Sequence, residues 1–208
     1  MVTKVLNYDM EIYASRVISI YNTYNNIIAP MTVEIELLDG EYPIEIMNEI
    51  RAVFTHLSRY YMNEDIEIKV VNVEKAESHI KRAMFDCFKY FCFSIVDYVK
   101  KFDKRYLKVD YSLIDNGLFL EKLTTYESEA RRLLNKARKK EIENPYSEEL
   151  FTDYEEAHTA FSRLYSLLDN TQIHAEKLKR KAIFKDYLAW ASFAVGIIGV
   201  ILTIISSV

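Results

Sequence analysis

Apolar residues recur at intervals of three and four along most of this chain, the spacing of a helix that packs one face on a core. Over 4–28 the pattern passes through Val17, Ile18, Ile20 and Tyr21, and Ala29-Pro30 is expected to close it. Residues 31–42 (MTVEIELLDGEY) alternate briefly and contain the turn signal Asp39-Gly40, which fits a short extended piece. Pro43 suits the first turn of a second helix over 43–61, with a stripe of Ile46, Ile50, Val53, Phe54, Leu57 and Tyr61. Residues 62–71 read as a linker or short strand. The third helix, 72–103, is the longest, its stripe running Ala76, Ile80, Ala83, Met84, Cys87, Phe91, Ile95, Tyr98 and Phe102. Asp115-Asn116-Gly117 breaks the chain before a helix over 118–141, and Asn144-Pro145 breaks it before another over 146–169. Asp169-Asn170-Thr171 offers one more cap, after which 172–206 read as a single helix.

The end of the sequence has a different pattern. From Tyr187 to Val208 there is no charged residue. A helix of that length reaches about 33 Å and can cross a hydrocarbon layer of about 30 Å. Tyr187 and Trp190 stand where an interfacial aromatic belt belongs. Residues 176–186 (EKLKRKAIFKD) form a basic collar, which by the positive-inside rule puts the helical body in the cytoplasm. Within the apolar stretch, Ser192, Gly196, Gly199, Thr203 and Ser206 share one face, a small-residue stripe suited to helix–helix packing in lipid. The expected organisation is a helical bundle over 1–170, a basic juxtamembrane helix over 171–186 and a transmembrane helix over 187–208. The pattern predicts an all-α, tail-anchored membrane protein.

Composition supports that picture. Four glycines and three prolines are too few for the tight turns of a sandwich, barrel or doubly wound sheet. Sixteen tyrosines and eleven phenylalanines supply a core and exclude general disorder. The net charge of -4 argues against a surface coated for nucleic acid. Cys87 and Cys92 have neither metal nor disulfide spacing and read as small apolar residues of a reducing compartment. Basic residues crowd 131–140 and acidic ones 141–156, so two helix ends are expected to pair across Asn144-Pro145; the alternative is a basic end that touches phosphates.

Candidate chemistry is confined to two places. Helix two carries Arg51 and His56, and helix three carries His79, Arg82 and Asp86 on the face away from its core stripe. Arg82 and Asp86 are expected to form an i,i+4 pair, or to position a phosphate or nucleotide with His79. His158 and His174 are expected in solvent. There is no glycine-rich phosphate loop, no catalytic serine arrangement and no metal cluster in the sequence, so no cofactor is expected.

Arg51-Ala52-Val53-Phe54-Thr55-His56 resembles the Arg-x4-His motif of the HEPN superfamily, helical proteins of prokaryotic defence and toxin–antitoxin systems. The resemblance implies metal-independent RNA cleavage across a dimer, with Arg51 on the scissile phosphate and His56 as general acid or base. Ala52 departs from the family, where a polar residue commonly follows the Arg. On a regular helix Arg51 and His56 flank the buried face on opposite sides, so a dimer or a bend near Thr55 is needed to bring them to one phosphate. The bland reading pairs Arg51 with Glu45 or Glu49.

Three functions follow from these features. The first is an oligomeric effector of antiphage immunity at the bacterial inner membrane that permeabilises it or forms a pore, with RNA or another defence protein as trigger. The second is a membrane-tethered HEPN ribonuclease, and the third a membrane scaffold without activity.

Overall fold

The computed structural model describes the backbone of residues 2–145, 147 and 149–206, and side chains over 13–145, 147 and 149–202. Every element among the described residues is helical: α1 (Val2–Thr23), a π turn (Tyr24–Ile28), α2 (Ala29–Asp39), α3 (Ile44–Met62), α4 (Ile66–Arg105), two 3-10 turns (Tyr111–Leu113 and Asp115–Gly117), α5 (Leu118–Glu143) and α6 (Leu150–Ser206). Contacts divide the chain into two compact units, residues 1–98 with 129–161 and residues 99–128 with 162–208.

Pro30 does not end a helix, and 31–42 is not extended. The N–H that proline lacks falls just after the π turn, in which the Ala29 N–H reaches back to the Tyr24 carbonyl. The wider turn absorbs the proline, and α2 continues with Ile28, Met31, Thr32 and Ile35 buried on one side. The stop comes at Gly40, whose φ of 77° lets its N–H bond the Glu36 carbonyl at 2.8 Å. Residues 62–71 likewise hold no strand. Asp65 caps a helix there: its carboxylate accepts the Glu67 N–H at 2.8 Å and its carbonyl the Lys69 N–H at 3.1 Å.

In the first unit α3 buries Ile46, Ile50, Val53, Leu57 and Tyr60. Phe54 and Tyr61, expected in that stripe, are 55% and 64% exposed. The buried set keeps a strict 4-3 alternation, which leaves both residues beyond its edge. Phe54 lines a groove of about 230 Å³ with Ile20, Tyr21, Tyr24 and Leu57. On α4 the expected stripe is buried apart from half-buried Tyr98. Cys87 and Cys92 are free and buried, and burial pushes both thiols up to about 12. Phe88 packs between Phe151 and Tyr154, and the Tyr154 hydroxyl donates to Glu141.

The basic and acidic stretches either side of Asn144-Pro145 do pair. Asp153, 4% exposed, accepts from Lys136 and Lys140, each at 2.7 Å, and Lys140 also meets Glu149 at 2.5 Å. Asp169-Asn170-Thr171, expected as a cap, lies inside α6. Leu164, Leu168, Thr171 and Ala175 form one buried stripe through it, and the Thr171 hydroxyl is satisfied by the Leu167 carbonyl at 2.7 Å. The second unit buries Phe102, Tyr106, Ile114 and Phe119 with that stripe. From Tyr187 to Leu202 every α6 side chain is exposed. α6 is long and apolar enough to cross a membrane.

Asp153 gives a pH-dependent test of the first unit. Burial alone would raise its pKa, but hydrogen bonds from Lys136 and Lys140 hold it below the usual carboxylate value. A depressed folded-state pKa stabilises above the unfolded value of about 3.9 and is lost as pH falls through the lower folded value. Asp153→Asn is expected to cost about 2 kcal/mol at pH 7. In urea unfolding the gap from wild type should narrow as pH falls below the unfolded value of about 3.9 and vanish once it passes the lower folded value.

Candidate functional site

Helices α3 and α4 bring together polar side chains that lie far apart in the sequence. The His56 Nδ1 is 3.0 Å from the Asn72 Oδ1, and the His79 Nδ1 is 2.7 Å from the Glu49 Oε2. The two rungs are seven residues apart on each helix and run in opposite directions, the register of an antiparallel pair at heptad spacing. Between them the two imidazoles stack, with centroids 5.3 Å apart and planes at 18°.

Each ring's tautomer follows from its partner. The Asn72 Nδ2 donates to the Ile68 carbonyl at 2.8 Å, which turns Oδ1 toward His56. An amide oxygen only accepts, so His56 carries its proton on Nδ1. The Glu49 carboxylate fixes the same tautomer on His79. Both Nε2 lone pairs are therefore open to a proton, and neither makes a hydrogen bond to protein among the described residues. Asn72 is 7% exposed, a polar group buried at a cost that its two hydrogen bonds offset. The two imidazoles thus differ in what backs them, a carboxylate behind His79 and an amide oxygen behind His56. No group of three His, Cys, Asp or Glu that could hold a metal occurs among the described residues.

The expected sites are rearranged accordingly. His56 and His79 come from different expected sites and are joined. Arg51 and His56 are not: α3 runs unbroken from Ile44 to Met62, and five residues on a regular helix separate them by about 140°. Arg51 is exposed and has no ion pair among the described residues. Its expected partners are engaged elsewhere, Glu49 by His79 and Glu45 by Tyr90, whose hydroxyl that hydrogen bond raises to about 12.

Arg82 does not pair with Asp86. It donates to the Ser78 carbonyl and hydroxyl at 3.3 and 3.1 Å and lies 4.0 Å from Glu49. Asp86 instead meets Lys89 at 2.8 Å, one turn along, and Lys89 also holds Glu141 at 3.2 Å. Arg82 faces a cleft of about 380 Å³ lined also by Glu74, Glu77, Lys81 and Glu141, in which the carboxylates outnumber the cations. His158 is not in solvent: its ring lies 4.2 Å from that of Phe91, and its Nε2 is 3.4 Å from Glu34. His174 is exposed as expected.

In the apolar stretch, Ser192, Gly196 and Gly199 are exposed, and a Cβ at either glycine would meet nothing within 4 Å. Thr203 and Ser206 have side chains outside the described residues. In comparison with known proteins, no family model, no curated protein and no solved structure matches this chain.

Asn72 and Glu49 join the site only through the fold. Their sequence signal is the matched interval of seven, Glu49 to His56 and Asn72 to His79, on two amphipathic helices joined by a short turn. Imidazole nitrogen shifts should show protonated Nδ1 and bare Nε2 on His56 in the wild type. Asn72→Leu is expected to let the Nε2–H tautomer in, at a stability change within about 1 kcal/mol. An unchanged His56 tautomer in that variant would contradict this assignment.

Proposed function

We propose that this chain is a membrane-anchored, oligomeric effector that acts through lateral association of the apolar part of α6 and permeabilises the membrane it enters. The observation that carries the reading is the exposure of that stretch on all sides. Ten large apolar side chains between Tyr187 and Leu202 lie open, Trp190 and Val195 at 71% and 69%. Burying one such side chain is worth about 1.5–3 kcal/mol, so together they rival the whole stability of a domain, about 5–15 kcal/mol. A single protein partner covers one face of a helix; a helix apolar all round suits lipid.

The stripe of Ser192, Gly196 and Gly199 supports association. The chain's own described packing does not require either glycine to be small, whereas close approach of a second helix in lipid does. Lys177, Lys179, Arg180, Lys181 and Lys185 favour a cytoplasmic body at the bacterial inner membrane. The antiphage role, with RNA or another defence protein as trigger, comes from the HEPN resemblance.

A ribonuclease is the second reading. It is favoured by the open Nε2 of His56 and by the exposed guanidinium of Arg51. Because the two side chains diverge on α3, a common phosphate requires two protomers, each contributing one of them.

Expression in bacteria with a potential-sensitive dye separates the readings. The wild type is expected to collapse membrane potential, a chain truncated after Asp186 to have no effect, and Gly196→Ile to weaken the effect several-fold. His56→Ala should remain active. RNA breakdown that disappears in His56→Ala, with potential intact in the wild type, would favour the ribonuclease; a wild type inert in both assays would leave the scaffold.

A further inference from the structure

We propose that the loop between α4 and α5, residues 106–117, is a second lipid contact, seated in the headgroup layer beside the start of the apolar stretch. It rests on the reading that α6 enters a membrane. Three contacts set the loop's register along α6. Arg105 lies 3.6 Å from Glu176, Lys179 lies over the Tyr106 ring at 5.7 Å, and Lys108 meets Asp186 at 2.9 Å. Between Arg105 and Lys108 the partner on α6 thus advances by ten residues, about 15 Å of helix axis. Lys108 ends on the last charged residue before Tyr187.

The loop displays leucines at this level. Leu107 is 84% and Leu113 65% exposed. Their exposure does not come from a loosely held backbone. The Val109 N–H bonds the Tyr106 carbonyl at 2.8 Å, and Asp110 accepts from the Ser112 N–H at 3.0 Å and the Ser112 hydroxyl at 2.6 Å. Ile114 is 2% exposed, anchoring the loop in the core of its unit. Asp115, Asn116 and Gly117 then turn the chain in the left-handed region, with φ of 48°, 55° and 89°.

A fixed loop that buries Ile114 and turns Leu107 and Leu113 outward is suited to meet an apolar surface. The boundary where α6 leaves water is the surface its ion pair places within reach. Lys104 and the collar residues Lys177, Lys179, Lys181 and Lys185 supply charge that anionic headgroups attract, while Arg105 and Arg180 share Glu176 and Lys108 pairs with Asp186. Asp110 is engaged in its own turn, and Asp103 accepts from Tyr111.

Single cysteines at Leu107, Leu113 and Ile197, each carrying a polarity-sensitive fluorophore, test this in the full chain. The buried native thiols of Cys87 and Cys92 should not react under folded conditions. The labelled chain is reconstituted in vesicles of equal phosphatidylcholine and phosphatidylglycerol, with nitroxide lipids bearing the quencher at shallow or deep positions. The expected result is a blue shift and loss of emission at Leu107 and Leu113 with the shallow quencher, and at Ile197 with the deep one. Quenching at Ile197 alone would overturn the loop contact and leave the membrane anchor standing. No quenching at Ile197 would overturn the anchor and, with it, the placement of the loop beside a membrane-entering helix.

Discussion

Nearly every backbone polar group in this chain must be satisfied inside a helix, because the sequence has few residues that let it leave one. Four glycines and three prolines serve 208 residues, and two of those glycines lie in the apolar stretch. Gly40 and Gly117 take left-handed conformations at the end of α2 and the start of α5, where a side chain would be strained. Pro43 and Pro145 stand in the two turns that follow α2 and α5, where a missing N–H costs nothing. Pro30 is the informative case. It sits where proline should break a helix, and the π turn before it redistributes the hydrogen bonds instead of ending them. Helix length follows from this scarcity, and long helices can form a core only by keeping a stripe in register.

That register explains how far the sequence can be read. The helical class, the breaks at Asp115-Asn116-Gly117 and Asn144-Pro145 and the α4 core all follow from local spacing. The break at Asn63-Glu64-Asp65 is equally local, but it leads into a helix and not into an extended linker. The departures from expectation share one cause: a short-range signal weighed against a longer stripe. Met31, Thr32 and Ile35 continue the stripe of Ile28, although the segment around them alternates. Thr171 continues the stripe of Leu168, although Asp169-Asn170-Thr171 resembles a cap. Tyr60 takes the place of Phe54 and Tyr61 because the buried set on α3 keeps a 4-3 alternation.

The candidate site is legible only in part, since its residues belong to two helices. His56 and His79 are each visible as polar residues in informative company, but their contact depends on α3 and α4 packing antiparallel in one register. The same register separates Arg51 from His56, because it turns His56 inward and leaves Arg51 in solvent. Charge in the sequence is a weaker guide to pairing than the helix interface. Arg82 and Asp86 satisfy the i,i+4 rule on paper, yet Asp86 has Lys89 within reach and that lysine also serves Glu141. A lysine placed between two carboxylates outweighs one intrahelical pair worth about 0.2–0.5 kcal/mol.

The membrane reading depends on the loss of such a stripe along α6. From Leu150 to Ala175 the helix buries one side in a regular order, Tyr154, Ala157, Phe161, Leu164, Leu168 and Thr171, with charge and polar groups elsewhere. That is the periodicity of a helix between a core and water. After the basic collar the periodicity disappears. Apolar side chains occupy all sides from Tyr187 to Leu202, and only the small residues Ser192, Gly196 and Gly199 mark a direction. Water on any side would then be unfavourable, and on this change of pattern the proposed membrane anchor rests. In lipid the bulky sides gain nothing by facing protein, and the small side is left as the place where another helix can approach. Under the proposed anchor the one helix carries two rules for burial, and the collar between Lys177 and Lys185 marks where the first gives way to the second.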